Sequence, residues 1–191
     1  TRWWVYEEHF VPTCKKLVSE GKIGAWGITG IGVPECLLSA LTLNDKPAAV
    51  QCISNLIDSP GDLQYFPGPS RAREIIAKTK SIGAGVLGIR PVQGGALTDA
   101  IDRDLPSGHG VVTDYAKTAN YRALAKELGT TPAALAHRYA LAMNGVDTVV
   151  LGCKNTAELK ECVIAEANGP LEPDIIARID AAVLRNELLP H

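Results

Sequence analysis

Short apolar runs recur along the chain, and each ends in polar or glycine residues just before a segment with helical spacing. The pattern is present in GKIGAWGITG (21–30), AAVQCIS (48–54), GVLGIRPVQGG (85–95) and TVVLGCKN (148–155). Strands this short and apolar, separated by helices, predict a parallel sheet covered on at least one face. Four strand–helix units in a row predict an α/β fold, a parallel (β/α) half-barrel equivalent to half of a TIM-type (β/α)8 barrel, with residues 1–191 as a single domain. Ligands of such sheets gather at the carboxyl ends of the strands, so the four strand ends are the expected site. The bare turn at Thr29 and Gly30 is the first of them.

Helical spacing runs over 13–20, and Gly21 is a suitable C-cap, so strand is expected from Lys22. Pro34 opens a short helix reaching about Leu43. The Pro- and Gly-rich loop DSPGDLQYFPGPS ends at Ser70, the expected N-cap of a helix over 71–80. Residues 98–113 are irregular and polar, long enough for a functional loop or a disordered one. Helices are then expected over 114–128, closed by Gly129, and over 132–143, opened by Thr131 and Pro132. After a strand over 148–152 come a helix over 156–166 and a last one from Pro173 to about Leu188. The last carries an apolar stripe of Ile175, Ile176, Ile179, Ala182 and Val183.

At 191 residues and 46% apolar, with 5% aromatic residues, the chain can bury one core built mostly of Ala, Val, Ile and Leu. The 19 basic and 21 acidic side chains are scattered, so no basic block suits a nucleic-acid backbone. No apolar run approaches the roughly 20 residues that cross a bilayer, and no signal-peptide pattern opens the chain, so the expectation is a cytoplasmic protein without membrane or nucleic-acid partners. Cys14, Cys36, Cys52, Cys153 and Cys162 form no CxxC pair and are odd in number, which predicts reduced thiols.

Chemistry is thinly spread. Asn155 and Glu158 have capping-box spacing behind Lys154, so free N–H groups lie beside a cation. That arrangement suits a phosphate, and equally a capped surface helix with a solvated lysine; the Glu158 carboxylate competes with a bound anion. Gln51 lies mid-strand among apolar neighbours, where an unmet amide costs about 1–3 kcal/mol. Its partner is either a ligand carboxamide or neighbouring backbone and Asn55. Thr29 and Arg90 offer either ligand contacts or a cap and a surface ion pair. His9, His109, His137 and His191 all lie away from strand ends, and no HExxH, GxSxG, P-loop or GxGxxG pattern occurs.

Taken together, GKIGAWGITG, the strand bearing Gln51, GVLGIRPVQGGAL, TPAALAHRYAL and VVLGCKNTAELKE resemble the carboxyl-terminal half of the aldo-keto reductase family, in that order and at suitable spacings. The resemblance covers nearly the whole chain. It implies the fifth to eighth strands of a barrel that reduces small carbonyl substrates with NADPH and no metal, with NAD as the alternative cofactor. It places Thr29 and Gln51 near the nicotinamide carboxamide, and Arg90, Pro91, Val92 and Gly94 along the nicotinamide and pyrophosphate. Lys154 and Asn155 would hold the adenosine phosphate, with Glu158 and Glu161 near the adenine. Four positions depart from the family pattern: Thr29 and Gly30 replace Ser-Asn, Ile89 replaces a stacking aromatic residue, and Cys162 replaces an Asn.

The family's catalytic Tyr, Lys, Asp and assisting His come from its first four strands, and nothing here corresponds to those strands. No catalytic residue is therefore assigned, Tyr6 and Tyr65 included. The expectation is the cofactor-binding half of an NADP-dependent reductase, inactive alone, that self-associates or pairs with an amino-terminal half-barrel segment. The opening Thr1 fits a trimmed or truncated product, and processing equally. The rival readings are a non-catalytic nucleotide-binding or interaction module on the same half-barrel, and an unrelated open α/β domain with a non-sequential strand order.

Overall fold

The computed structural model describes residues 3–187. Strands β1 (Gly27–Thr29), β2 (Ala49–Ile53), β3 (Gly85–Ile89) and β4 (Thr148–Val149) form one sheet in that order, all neighbours parallel. Sequential parallel strands joined by helical crossovers are the arrangement of consecutive barrel staves, so the half-barrel class holds and the non-sequential alternative falls. The register sets the two faces. Val50, Cys52 and Val86 are buried against the helical layer, whereas the row Thr29, Gln51, Leu87 and Thr148 is half-buried or exposed on the other face.

Both outer strands are shorter than their apolar runs. At β1 the chain over 21–26 folds back on the preceding helix, with Lys22 N–H donating to Leu17 O at 2.9 Å, and the ladder starts only where Ala48 N–H reaches Trp26 O. At β4 the last ladder bond is Val150 N–H to Gly88 O at 2.8 Å. Beyond it β3 turns away at Arg90, whose φ of 59° is left-handed, and 151–153 are left exposed.

The helical layer begins with α1 (Trp3–Val5), a π-helical turn (Tyr6–Phe10) that contains His9, and α2 (Val11–Ser19), with α3 (Pro34–Ala40) following β1. Helix α4 (Ala72–Ser81) is not capped by Ser70, whose hydroxyl donates to Asp58 O at 2.5 Å. Arg71 instead stands before the helix in the left-handed region, with its guanidinium on Glu74 at 2.5 and 2.7 Å and on Glu35 at 2.8 Å. The helix expected over 114–128 is two helices, α5 (Gly110–Lys117) and α6 (Ala119–Glu127). Buried Thr118 breaks it: its hydroxyl lies within 3.2 Å of the carbonyls of Ala96, Asp114 and Tyr115, so side chain and backbone compete for the same acceptors. Helices α7 (Pro132–Ala142), α8 (Thr156–Ala167) and α9 (Pro173–Glu187) fall where the spacing puts them; Leu188 and His191 lie outside the described residues.

The core lies between the sheet's covered face and α4, α6, α7 and α9. Tyr121 is fully buried and donates to Pro132 O at 2.5 Å, so the core's largest side chain keeps its hydroxyl satisfied. The stripe of α9 packs as its spacing requires, with Ile179 fully buried, Ala182 and Val183 nearly so, and Ile175 and Ile176 at the margin. Among the described residues no helix is long and apolar enough to cross a membrane. Ile179→Ala removes buried volume where α9 meets α6, and is expected to lower unfolding free energy by about 2–5 kcal/mol in a urea titration.

Candidate functional site

The site grows from the turn that ends β3. Arg90 and Gln93 are left-handed at φ 59° and 48°, and with Gly94 and Gly95 at 60° and 100° they coil the chain into a single 3-10 turn, Gln93–Gly95. Two non-glycine residues in that region cost conformational energy, which the surrounding hydrogen bonds must offset. They do so through the fully buried Gln93 amide. Its Oε1 accepts from Arg90 Nε at 2.7 Å, and its Nε2 donates to Asp114 Oδ2 at 2.8 Å and to Ser59 Oγ at 3.2 Å. Ser59 Oγ donates to the same Asp114 oxygen at 2.7 Å. The equally buried Asn55 donates to Arg90 O and Ser59 O. Helix α5 abuts this hub so closely that a Cβ on Gly110 would lie 2.6 Å from the Gly61 carbonyl carbon.

In front of the turn lies a groove of about 650 Å³. Val92, Gly94 and Gly95 form one wall, and Gly152, Cys153, Lys154, Glu158, Glu161 and Cys162 the other. The loop that follows the turn straps across: Arg103 donates to Gly94 O at 2.9 Å, and Asp102 pairs with Lys154 Nζ. The amino end of α8 is capped from both sides. Asn155 Oδ1 accepts from Glu158 N–H at 2.9 Å, and Glu158 Oε2 accepts from Lys154 N–H at 2.8 Å, one residue earlier than the usual capping-box donor. The capped-helix geometry is therefore present, and the Lys154 side chain, 65% exposed, pairs with Asp102 and lies 3.7 Å from Glu158.

Behind this wall, His137 of α7 packs its Nδ1 3.4 Å from Cys162 Sγ, which in turn lies 3.9 Å from Cys153 Sγ. Burial lowers the pKa of His137 against the opposing pull of Glu161. Burial, with Cys153 adding to it, pushes the Cys162 thiol up to about 11. All five cysteines are free. His109 has a structural task, its Nδ1 accepting from Val111 N–H at the start of α5.

The residues singled out in the sequence divide into two sets. Val92, Gly94, Lys154, Glu158 and Glu161 come together in the groove, with Asn155 at its edge as the cap of α8. Thr29 and Gln51 do not line it. They face each other across β1 and β2, where Thr29 Oγ1 donates to Gln51 Oε1 at 3.0 Å, so the partner of Gln51 is neither backbone nor Asn55. Pro91 is buried, and the Arg90 guanidinium serves the turn from inside, binding Gln93 and, at 2.6 Å, Asp62. Asp102, Arg103 and Asp114 escaped the sequence reading, as did the buried bracing role of Gln93. The first two sit in a loop without periodicity, and the pairing of Gln93 with Asp114 has no signature in spacing. A second depression of about 550 Å³ lies beside α4, but its arginines are already paired, Arg71 with Glu35 and Glu74 and Arg73 with Asp58.

Removing the hub's acceptor leaves the Gln93 and Ser59 donors stranded. Asp114→Ala is expected to cost about 1–3 kcal/mol of unfolding free energy by urea titration, and to raise amide-proton exchange over 90–95 more than over α9.

Known proteins bear on this geometry. The profile of the aldo/keto reductase family matches residues 2–184. L-galactose dehydrogenase from Arabidopsis thaliana is 27% identical over 157 residues, 81% of this chain and 46% of that protein. Among solved structures, the aldo-keto reductase AKR11C1 from Bacillus halodurans in its holo form superposes with a TM-score of 0.67 at 23% identity, over 92% of this chain and 55% of the other. The glycerol dehydrogenase AKR11B4 from Gluconobacter oxydans does so with 0.64 at 19%, over 92% and 54%. The chain thus spans about half the length of the relatives it matches. With the family profile matched over almost all of its length and sequential parallel strands beneath the groove, the chain belongs to the aldo/keto reductase family.

Proposed function

We propose that this chain forms the carboxyl-terminal, cofactor-binding half of an NADP-dependent aldo-keto reductase, with NAD as the weaker alternative. The observation that carries the reading is the groove at the ends of β3 and β4, where a glycine-bearing turn faces a capped helix start and a lysine. Its donors fit a dinucleotide. Gly94 lines the groove beside the Arg103 guanidinium, an arrangement suited to a pyrophosphate, and Lys154 with the first N–H groups of α8 suits an adenosine phosphate once Glu158 yields. Asn155 and Glu161 lie at the adenosine end. Thr29 and Gln51 stand at the far end of the sheet; the Gln51 amide nitrogen, free of partners among the described residues, is suited to a nicotinamide carboxamide oxygen. Pro91, buried, and Arg90, braced on Gln93 and Asp62, hold the turn in shape beneath the nicotinamide and pyrophosphate.

The bound cofactor would supply hydride to the carbonyl carbon of a small substrate, and a general acid must then protonate the oxygen. Among the described residues no tyrosine lines the groove. Tyr121 is buried on Pro132 O, and Tyr139 bonds Asp180, its hydroxyl pushed up to about 12 by burial and that bond. We therefore assign binding and orientation to this chain, and the acid–base step to a complementary half-barrel. Leu159, Val163 and Ile164 of α8 are 52–60% exposed and β4 is an open edge of the sheet, which together support covering by a second polypeptide segment, in a self-associated pair or from an amino-terminal half. The same absence of a groove tyrosine favours, as second reading, a nucleotide-binding module without turnover.

NADPH fluorescence titration is expected to show saturable binding, and Lys154→Ala to weaken NADPH on the order of tenfold and NADH much less, as loss of a charge-assisted contact to the extra phosphate requires. Absence of binding by either dinucleotide would sink the reading. Light scattering is expected to report a dimer or a complex; a monodisperse monomer overturns the covered-edge proposal.

A further inference from the structure

Cys153 and Cys162 occupy the groove wall in unlike settings. Cys153 is exposed in the segment after β4, between Gly152 and Lys154, whereas Cys162 is buried in the second turn of α8. Their sulfurs are 3.9 Å apart, and the imidazole of His137 lies against the buried one at 3.4 Å. A disulfide needs about 2.05 Å between sulfurs, a closure within reach of a side-chain rotation at Cys153 and a small shift of the exposed backbone that carries it. Accessible, resolving and proton-accepting groups thus stand in one row.

We propose that this pair is a redox modification site: a low-molecular-weight disulfide oxidises Cys153 and Cys162 to an intrachain disulfide that pins residues 152–155 to α8. The Cys153 thiolate attacks one sulfur of the small disulfide, forming a mixed disulfide and releasing one thiolate. Cys162 sulfur then attacks Cys153 Sγ, the new protein S–S bond forms, and the second small thiolate leaves. The proton of Cys162 passes to His137, which is uncharged before the step because burial disfavours its cation, and then to solvent. In sum, two protein thiols lose two electrons and two protons, and the small disulfide gains them as two thiols. Buried Cys162, its thiol held protonated, is unsuited to the first attack and suited to the second.

The effect on ligand follows from position and rests on the dinucleotide reading above. The pinned segment includes Lys154, whose N–H and ammonium both face the adenosine end, so the oxidised form binds NADPH on the order of tenfold more weakly, and bound NADPH slows oxidation by the same coupling.

The test treats the full chain with oxidised glutathione and follows intact mass and a non-reducing peptide map. Expected are a loss of about 2 Da, a Cys153–Cys162 linked peptide, and reversal by dithiothreitol. Cys162→Ser is expected to stop at a glutathione adduct on Cys153, and Cys153→Ser to leave Cys162 unmodified in the folded chain. A persistent adduct on Cys153 in the parent chain, linkage to another cysteine, or no reaction at Cys153 overturns the proposal. Unchanged NADPH affinity after verified linkage overturns its regulatory part. Failure of the reduced chain to bind any dinucleotide refutes the functional reading, and the mass result still decides the disulfide.

Discussion

One buried amide organises the groove end of this molecule. Gln93 joins Arg90 on its own turn, Ser59 on the loop after β2 and Asp114 on α5, so two irregular segments are fixed against one helix. Left-handed backbone at Arg90 and Gln93 is costly in isolation and persists because three elements converge on one side chain. A fully satisfied polar hub of this kind is rigid, and the loss of any member strands the rest in a low-dielectric interior. The turn holds Val92, Gly94 and Gly95 at the groove only because this hub stands behind it.

The hub is tied to the opposite wall through the strap. Arg103 ties the loop to the turn and Asp102 ties it to Lys154, so two walls that come from different strands share one covering segment. The Asp102–Lys154 pair along this path is half-exposed, where a single contact contributes little, and its effect is to set geometry rather than to add much stability. Beneath it the hydrophobic contacts of Val50, Val86, Leu135 and Ile179 supply the cohesion.

Much of this was legible in the sequence. Period and punctuation placed every strand and most helices, because apolar runs, Gly129, Pro132 and the Asn155 cap act locally. The stripe of α9 was readable for the same reason, since one face of one helix records its own burial. Misreadings arose where a distant partner decides. Thr118 looks like any helical position until Ala96 O is beside it. Ser70 looks like a cap until Asp58 O takes its hydroxyl. At the groove, helix-start chemistry was legible at Lys154, Asn155 and Glu158, while Asp102 lay hidden in a loop whose partners are dozens of residues away.

The carboxylate of Glu158 has a further meaning. It rests on Lys154 N–H and beside the ammonium, so the end of α8 already holds a tethered anion. Any newcomer gains only the excess of its own attraction over that of the incumbent. An anion that displaced it would have to bring denser charge and more acceptors than a carboxylate, so a group with one diffuse charge would gain little there.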